Sequence, residues 1–188
     1  MLALSALGPR VAILGPSNSG KSTLAVSISQ KTGLAPVHLD QLRHLPHTNW
    51  QERPDEEFAQ LHDQAIKTDS WVMEGNYSTL LPPRLDRATG MILLDGNLWL
   101  RYFRYVKRTL KNTETRAGHL AGGQDRLSWQ MTSWIFKTRS DAQVYEDILA
   151  KTGKPMVLCR TANELNQLYE DWSLPTPWSE DLRGQLSL

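Results

Sequence analysis

The sequence predicts an α/β fold in three layers, a five-stranded parallel sheet with helices on both faces. Two observations lead there. Short apolar runs rich in β-branched residues alternate along the 188-residue chain with segments of helical period, which implies right-handed βαβ units around a buried sheet. Those runs also lead into Gly15, Asp40, Glu74 and Asp95, and open parallel sheets bind ligands at the carboxyl ends of their strands.

The elements follow in order. RVAIL at 10–14 is the first strand, followed by a Gly-rich turn and a helix over 22–30 that Gly33 ends. PVHL at 36–39 is the second strand, with Asp40 at its end, and residues 43–54 form a loop leading into a helix over 55–67. SWVM at 70–73 and MILL at 91–94 are the third and fourth strands, ending in Glu74 and Asp95. An amphipathic helix over 98–110 precedes a Gly-rich break at 118–123, where a lid could sit, and a helix near 127–137. A helix over 140–151, the strand PMVLC at 155–159 and a helix over 162–171 complete the pattern. Residues 1–172 read as one domain with a lid near 101–139, and residues 173–188 as a loosely ordered tail.

The composition narrows the function classes. Twenty-one Lys and Arg against 20 Asp and Glu leave a net charge of +1, so no global field draws the chain to DNA or an anionic membrane. A nucleic-acid role would need a local patch, for which residues 101–116 are the candidate. Cys159 is the single cysteine and can form no internal disulfide, which agrees with a reducing compartment. No run approaches the ~18 apolar residues that span a bilayer, and the first seven residues are too short for a secretion signal. Cytoplasm is the expected location.

Gly15, Pro16, Ser17, Asn18, Ser19, Gly20, Lys21 and Ser22 match G-x-x-x-x-G-K-[ST]. The match lies between a strand and a helix, the context of a phosphate-binding loop. Phosphate oxygens need many donors along a tight curve, and the backbone N–H groups of this loop supply them beside a helix N-terminus. Lys21 is expected to reach the β- and γ-phosphates, Ser22 to ligate magnesium, and Thr23 to belong to the nucleotide site. The expected fold is therefore a P-loop NTPase fold holding ATP and Mg2+.

Glu74 could hold a magnesium-bound water, or stand as a solvated strand-end acid. Asp40 could orient or deprotonate an acceptor hydroxyl, or cap a helix or loop. Asp95 is expected to cap the helix that begins near Leu98, with metal contact as its second reading. Arg101, Arg104 and Arg108 share one helical face, suited to a phosphoryl group in transit or to solvent, with Arg139 on the lid's far side and Arg84 and Arg87 near the acceptor. His44 and His47 lack cysteine partners for zinc, and Trp50, Trp129 and Trp134 are candidates for lining a pocket.

GPSNSGKSTLA, VHLDQL, WVMEGNYS, RLDRATGMILLD and LRYFRYVKR, in that order over residues 10–168, resemble the adenylate-kinase-like P-loop proteins called DNA topology modulation proteins. The resemblance implies a kinase-type core with a lid, magnesium and ATP. It places Gly15, Gly20, Lys21 and Ser22 at the nucleotide, Asp40 and Tyr77 at the acceptor, and Arg104, Arg108 and Arg139 on the lid. Glu74 replaces the family's usual aspartate before Gly-Asn-Tyr, and the segment past Trp172 matches nothing in the pattern.

The expected activity is ATP- and Mg2+-dependent phosphotransfer to a small molecule, with a nucleoside or nucleotide as the leading acceptor. The alternatives are a kinase acting on a nucleic-acid end and a nucleotide-gated regulatory ATPase. ATP is preferred to GTP because no N-K-x-D segment follows a late strand. Oligomeric state stays open.

Overall fold

β1 (Arg10–Leu14) is the central strand of a five-stranded parallel sheet in the order β2-β3-β1-β4-β5. The others are β2 (Pro36–His38), β3 (Trp71–Glu74), β4 (Gly90–Leu94) and β5 (Met156–Cys159). The computed structural model describes residues 2–111, 117–118, 120–121, 133 and 141–176. Parallel register sets Ile13 beside Glu74, His38 beside Glu74 and Leu94 beside Cys159, so the carboxyl ends of the strands line one edge.

Alternate side chains along each strand serve opposite faces, and both faces are buried, which is why the strands read as continuous apolar runs. Val11 and Ile13 join Val72, Ile92, Leu94 and Val157 beneath α1 (Lys21–Thr32) and α7 (Ala162–Asp171), together with Trp172 and Leu174. Ala12 and Leu14 join Trp71, Met73, Met91 and Leu93 on the other face. There they meet α3 (Asp55–Lys67), α4 (Leu81–Arg87) and α6 (Asp141–Ala150) through Ile66, Leu85 and Leu149.

Local chemistry sets the helix ends. Gly33, in the left-handed region, returns its N–H to Ser29 O at 2.7 Å and closes α1. Asp55, Glu56 and Glu57 complement the N-terminal dipole of α3, and Lys67 its C-terminus. The Thr161 side chain accepts from Glu164 N at 3.1 Å to start α7.

Several expectations are corrected. β2 stops at His38, and Leu39 turns into the core to open the short helix α2 (Leu39–Arg43), so Asp40 lies in a helical first turn and not at a strand end. α4 is an element the sequence analysis does not include; its Pro82 and Pro83 fall in the first turn, where proline costs no hydrogen bond. Lys154 Nζ then caps it by donating to the carbonyls of Leu85, Asp86 and Ala88 at 2.6–2.9 Å.

The cap of α5 (Leu98–Lys111) is Asn97, whose Oδ1 accepts from Trp99 N at 2.9 Å, in place of Asp95. Arg87 lies at the opposite end of the sheet from the acceptor: its guanidinium donates to Ile66 O and Lys67 O, and its carbonyl accepts from Arg10 at the start of β1. Residues 173–176 are not loose. Leu174 is buried, and Pro175 O accepts from the buried Ser27 hydroxyl at 3.0 Å.

The helix expected near 127–137, most of the 118–123 break, Arg139, Trp129, Trp134 and the chain beyond residue 176 lie outside the described residues. No helix among the described residues is long and apolar enough to cross a membrane.

Candidate functional site

The loop after β1 curves back on itself to start α1. Gly15 has φ +140, and a Cβ there would collide with the Leu94 carbonyl oxygen, so the turn requires glycine. Gly15 N donates to Asn76 Oδ1 at 3.1 Å, Ser19 N to Pro16 O at 3.3 Å, and Lys21 Nζ to Pro16 O at 2.9 Å. Gly20 is the N-cap of α1 and supplies no side-chain cap. The N-cap residue therefore leaves the helix N-terminus open to an anion. Ser19 Oγ is buried without a partner among the described residues, a further polar atom suited to a phosphate oxygen.

Ser22 and Glu74 meet beneath this loop. Ser22 Oγ donates to Glu74 Oε1 at 2.9 Å, and His38 Nδ1 lies 2.9 Å from the same oxygen. Glu74 is 4% exposed. Burial pushes its carboxyl pKa up, but the bond from His38, the charge of Lys21 and the bond from Ser22 outweigh that, and the net shift is downward. The group is thus an ionised carboxylate next to a hydroxyl. That donor set suits magnesium, which takes one or two protein oxygens and completes its shell with phosphate oxygens and water. Among the described residues there is no group of three or more His, Cys, Asp or Glu that could hold a metal ion.

On the other side of Glu74 lies the candidate acceptor edge. Tyr77 OH donates to Asp40 Oδ1 at 2.7 Å. Burial, then the nearby Asp40 charge, raises the Tyr77 pKa, which keeps the phenol a donor. Phe58 packs edge-on to Tyr77 with centroids 4.9 Å apart, and the Arg43 guanidinium lies 5.5 Å over the Phe58 ring. Arg43 is itself held by Asp55 at 2.6 Å and by Glu52. His44 Nδ1 is 2.9 Å from Asp40 O and meets Trp50 edge-on at 5.2 Å.

Arg101 and Arg104 of α5 do not form a solvated face. Arg101, 1% exposed, donates from Nε to Ser17 O at 2.9 Å, and Arg104 donates from Nη1 to Ser19 O at 3.1 Å. Burial lowers the Arg104 pKa. Arg108 lies on the same helix with its side chain outside the described residues. Beyond the helix, a Cβ on Gly118 would lie 3.1 Å from His38 Nδ1 and 3.2 Å from Ser22 Oγ, and Ala121 O accepts from His47 N at 2.5 Å. This segment therefore spans the Ser22–Glu74–His38 cluster and the acceptor loop.

A cavity of about 510 Å³ opens beside the loop between residues 95–98 and 160–163. Its size and its place near Ser19 suit a nucleotide base. Asp95 lines it, with its pKa raised by burial.

The structure brings Gly15, Ser19, Gly20, Lys21, Ser22, Glu74, Asp40, Tyr77 and Arg104 to one edge of the sheet. It adds His38, beside Glu74, and Asn76, beside Gly15, neither of which the sequence analysis singles out. His38 carries a signal in retrospect, since it ends the strand that pairs with β3 at Glu74.

This architecture is a three-layer P-loop NTPase fold. Two solved structures match it along nearly the whole chain. One is shikimate kinase from Acinetobacter baumannii in complex with shikimate, at 15% identity, TM-score 0.54, over 90% of this chain and 96% of that one. The other is a gluconokinase from Sinorhizobium meliloti, at 13% identity, TM-score 0.54, over 96% of this chain and 93% of that one. No protein-family model and no curated protein sequence matches the chain.

Proposed function

We propose that this chain is an ATP- and Mg2+-dependent kinase that phosphorylates a hydroxyl of a small molecule. The observation that carries the reading is the order of groups along one sheet edge. The phosphate loop, the Ser22–Glu74 pair and the Asp40–Tyr77 pair follow one another within a few residues of the strand ends. Bound ATP supplies the phosphoryl group, and magnesium neutralises its charge. Lys21 and the α1 N-terminus stabilise the phosphates, Ser22 and Glu74 hold the metal, and Asp40 takes the proton of the acceptor hydroxyl. Arg104, with Arg108 and Arg139, serves the lid over residues 101–139; the contacts of Arg101, Arg104, Gly118 and Ala121 with the core support that role. Both structural neighbours are kinases by name, one of them in complex with the small molecule shikimate.

Between a nucleoside and a nucleotide, the acceptor edge favours the uncharged nucleoside. Arg43 is neutralised by Asp55 and Glu52, Arg53 pairs with Glu57 at 2.5 Å, and Asp40 adds a further carboxylate beside Tyr77. A phosphorylated acceptor would meet net repulsion from these described residues. A kinase acting on a nucleic-acid end would meet the same acids, and a regulatory ATPase has no need of the Asp40–Tyr77 pair.

The test is ADP formation from Mg·ATP by wild type and Lys21→Ala, across nucleosides, nucleoside monophosphates, hydroxy acids and 5′-hydroxyl oligonucleotides. One small-molecule class should stimulate wild type many-fold while the folded variant stays silent. A slow Lys21-dependent hydrolysis that no acceptor stimulates would overturn the kinase reading in favour of a regulatory ATPase.

A further inference from the structure

Arg84 is fully buried, at 0% exposure, and forms no ion pair among the described residues. Burial draws its pKa down to about 10, so the guanidinium remains charged near neutral pH. A buried charge is costly unless dipoles or ions compensate it. Here the compensation comes from two consecutive backbone carbonyls: Nη1 donates to Gly75 O at 2.9 Å and Nη2 to Asn76 O. A planar guanidinium can serve both at once, which a single ammonium cannot do in the same geometry.

The segment so clasped is strained. Gly75 has φ +127, and a Cβ there would lie 2.9 Å from Leu39 Cβ; Tyr77 has φ +40, which a non-glycine residue resists. The same segment supports every part of the site. Glu74 before it binds Ser22 and His38, Asn76 Oδ1 accepts from Gly15 N at 3.1 Å, and Tyr77 OH donates to Asp40 at 2.7 Å. Arg84 hydrogen-bonds none of Ser22, Gly15 or Asp40, so apart from its charge interaction with Glu74, which Arg84→Lys retains, its effect on them passes through the segment it clasps.

We propose that Arg84 is a positioning residue for phosphoryl transfer. By fixing the carbonyls of Gly75 and Asn76 it aims Asn76 at the first residue of the phosphate loop and Tyr77 at Asp40. The proposal rests on the kinase reading for its acceptor half only, since the Asn76–Gly15 link concerns nucleotide binding alone.

A double-mutant cycle tests it. Arg84→Lys, Asn76→Ala and the double variant are checked for folding by circular dichroism, then titrated with Mg·ATP by calorimetry and assayed for kcat and KM. Loss of the Asn76–Gly15 bond weakens Mg·ATP binding about tenfold, and Arg84→Lys, acting through the same bond, does the same. The double variant should then bind no more weakly than the worse single, whereas independent effects would multiply to about a hundredfold. A purely structural role would lower kcat with the folded fraction and leave the affinity of the folded molecules unchanged.

Multiplicative losses, or wild-type affinity in Arg84→Lys, would overturn the proposal. If Arg84→Lys does not fold, Arg84→Gln takes its place, and failure of both to fold overturns the proposal in favour of a structural role. An acceptor panel that is silent beside a non-additive binding cycle refutes the kinase reading and retains the positioning role. Additive losses beside an active panel refute the positioning role alone.

Discussion

Acidification should destabilise this protein through one buried histidine, and the size of the effect can be worked out. His62 on α3 is 1% exposed, and its Nε2 has no hydrogen-bond partner among the described residues. Burial first and the Arg84 charge second draw its pKa down to about 4 from 6.5, with Asp63 opposing. Because the folded value is depressed, the unfolded chain binds the proton more readily between these two values, and stability falls as pH drops through that window. The difference is worth about 3 kcal/mol below pH ~4, and about 2 kcal/mol is already lost at pH ~5 relative to pH ~8. The assay is urea denaturation of wild type and His62→Gln at both pH values. Carboxylates shared by the two proteins cancel in the double difference, so wild type should lose about 2 kcal/mol more than the variant on acidification. Equal losses would refute the assignment of His62 as a buried neutral base, as would an imidazole that NMR finds protonating near pH ~6.5.

Asp40→Asn should lower kcat by about a hundredfold with little change in the KM for ATP, because an amide cannot accept the hydroxyl proton yet keeps an oxygen for Tyr77. Steady-state kinetics with the acceptor found in the panel decides this, and a loss confined to ATP affinity would move Asp40 to the metal side. Ending the chain at Trp172 should cost about 3–5 kcal/mol by denaturant unfolding, since it removes the buried Leu174 and leaves the Ser27 hydroxyl without Pro175 O. Unchanged stability would mean that residues 173–176 contribute nothing to the core.

The parts of the site legible in the sequence are those written in local order. Gly15 to Ser22 can be assigned because the loop, the strand before it and the helix after it are contiguous, and the structure adds only the hydrogen-bond partners. Asp40 and Tyr77 were placed at the acceptor, and the structure joins them, although Asp40 sits on a helix that a short strand and a buried Leu39 make possible. What stayed hidden depends on register between distant strands or on burial. His38 bonds Glu74 across 36 residues only because β2 and β3 pair as they do. Arg84, placed near the acceptor side, is a core residue because α4, unread in the sequence, turns its side chain inward. Asp95 and Asn97 are both polar and near the start of α5, and only the backbone geometry chooses Asn97 as the cap.

The glutamate at position 74 has a physical consequence of its own. Its chain is one methylene longer than the aspartate of the resembling family, and its Oε1 sits within 2.9 Å of both Ser22 Oγ and His38 Nδ1. A carboxylate held from two sides in a buried setting has little rotational freedom to lose when a metal binds, which favours a preorganised site over one assembled on binding. The backbone leaving Glu74 is equally constrained, by Arg84 at Gly75 and Asn76 and by Asp40 at Tyr77. The proposed nucleotide and acceptor sites therefore share four consecutive residues, Glu74 to Tyr77, held by common contacts. A perturbation of Arg84 in the core should thus reach both sites, whereas one at Asp40 should reach the acceptor alone.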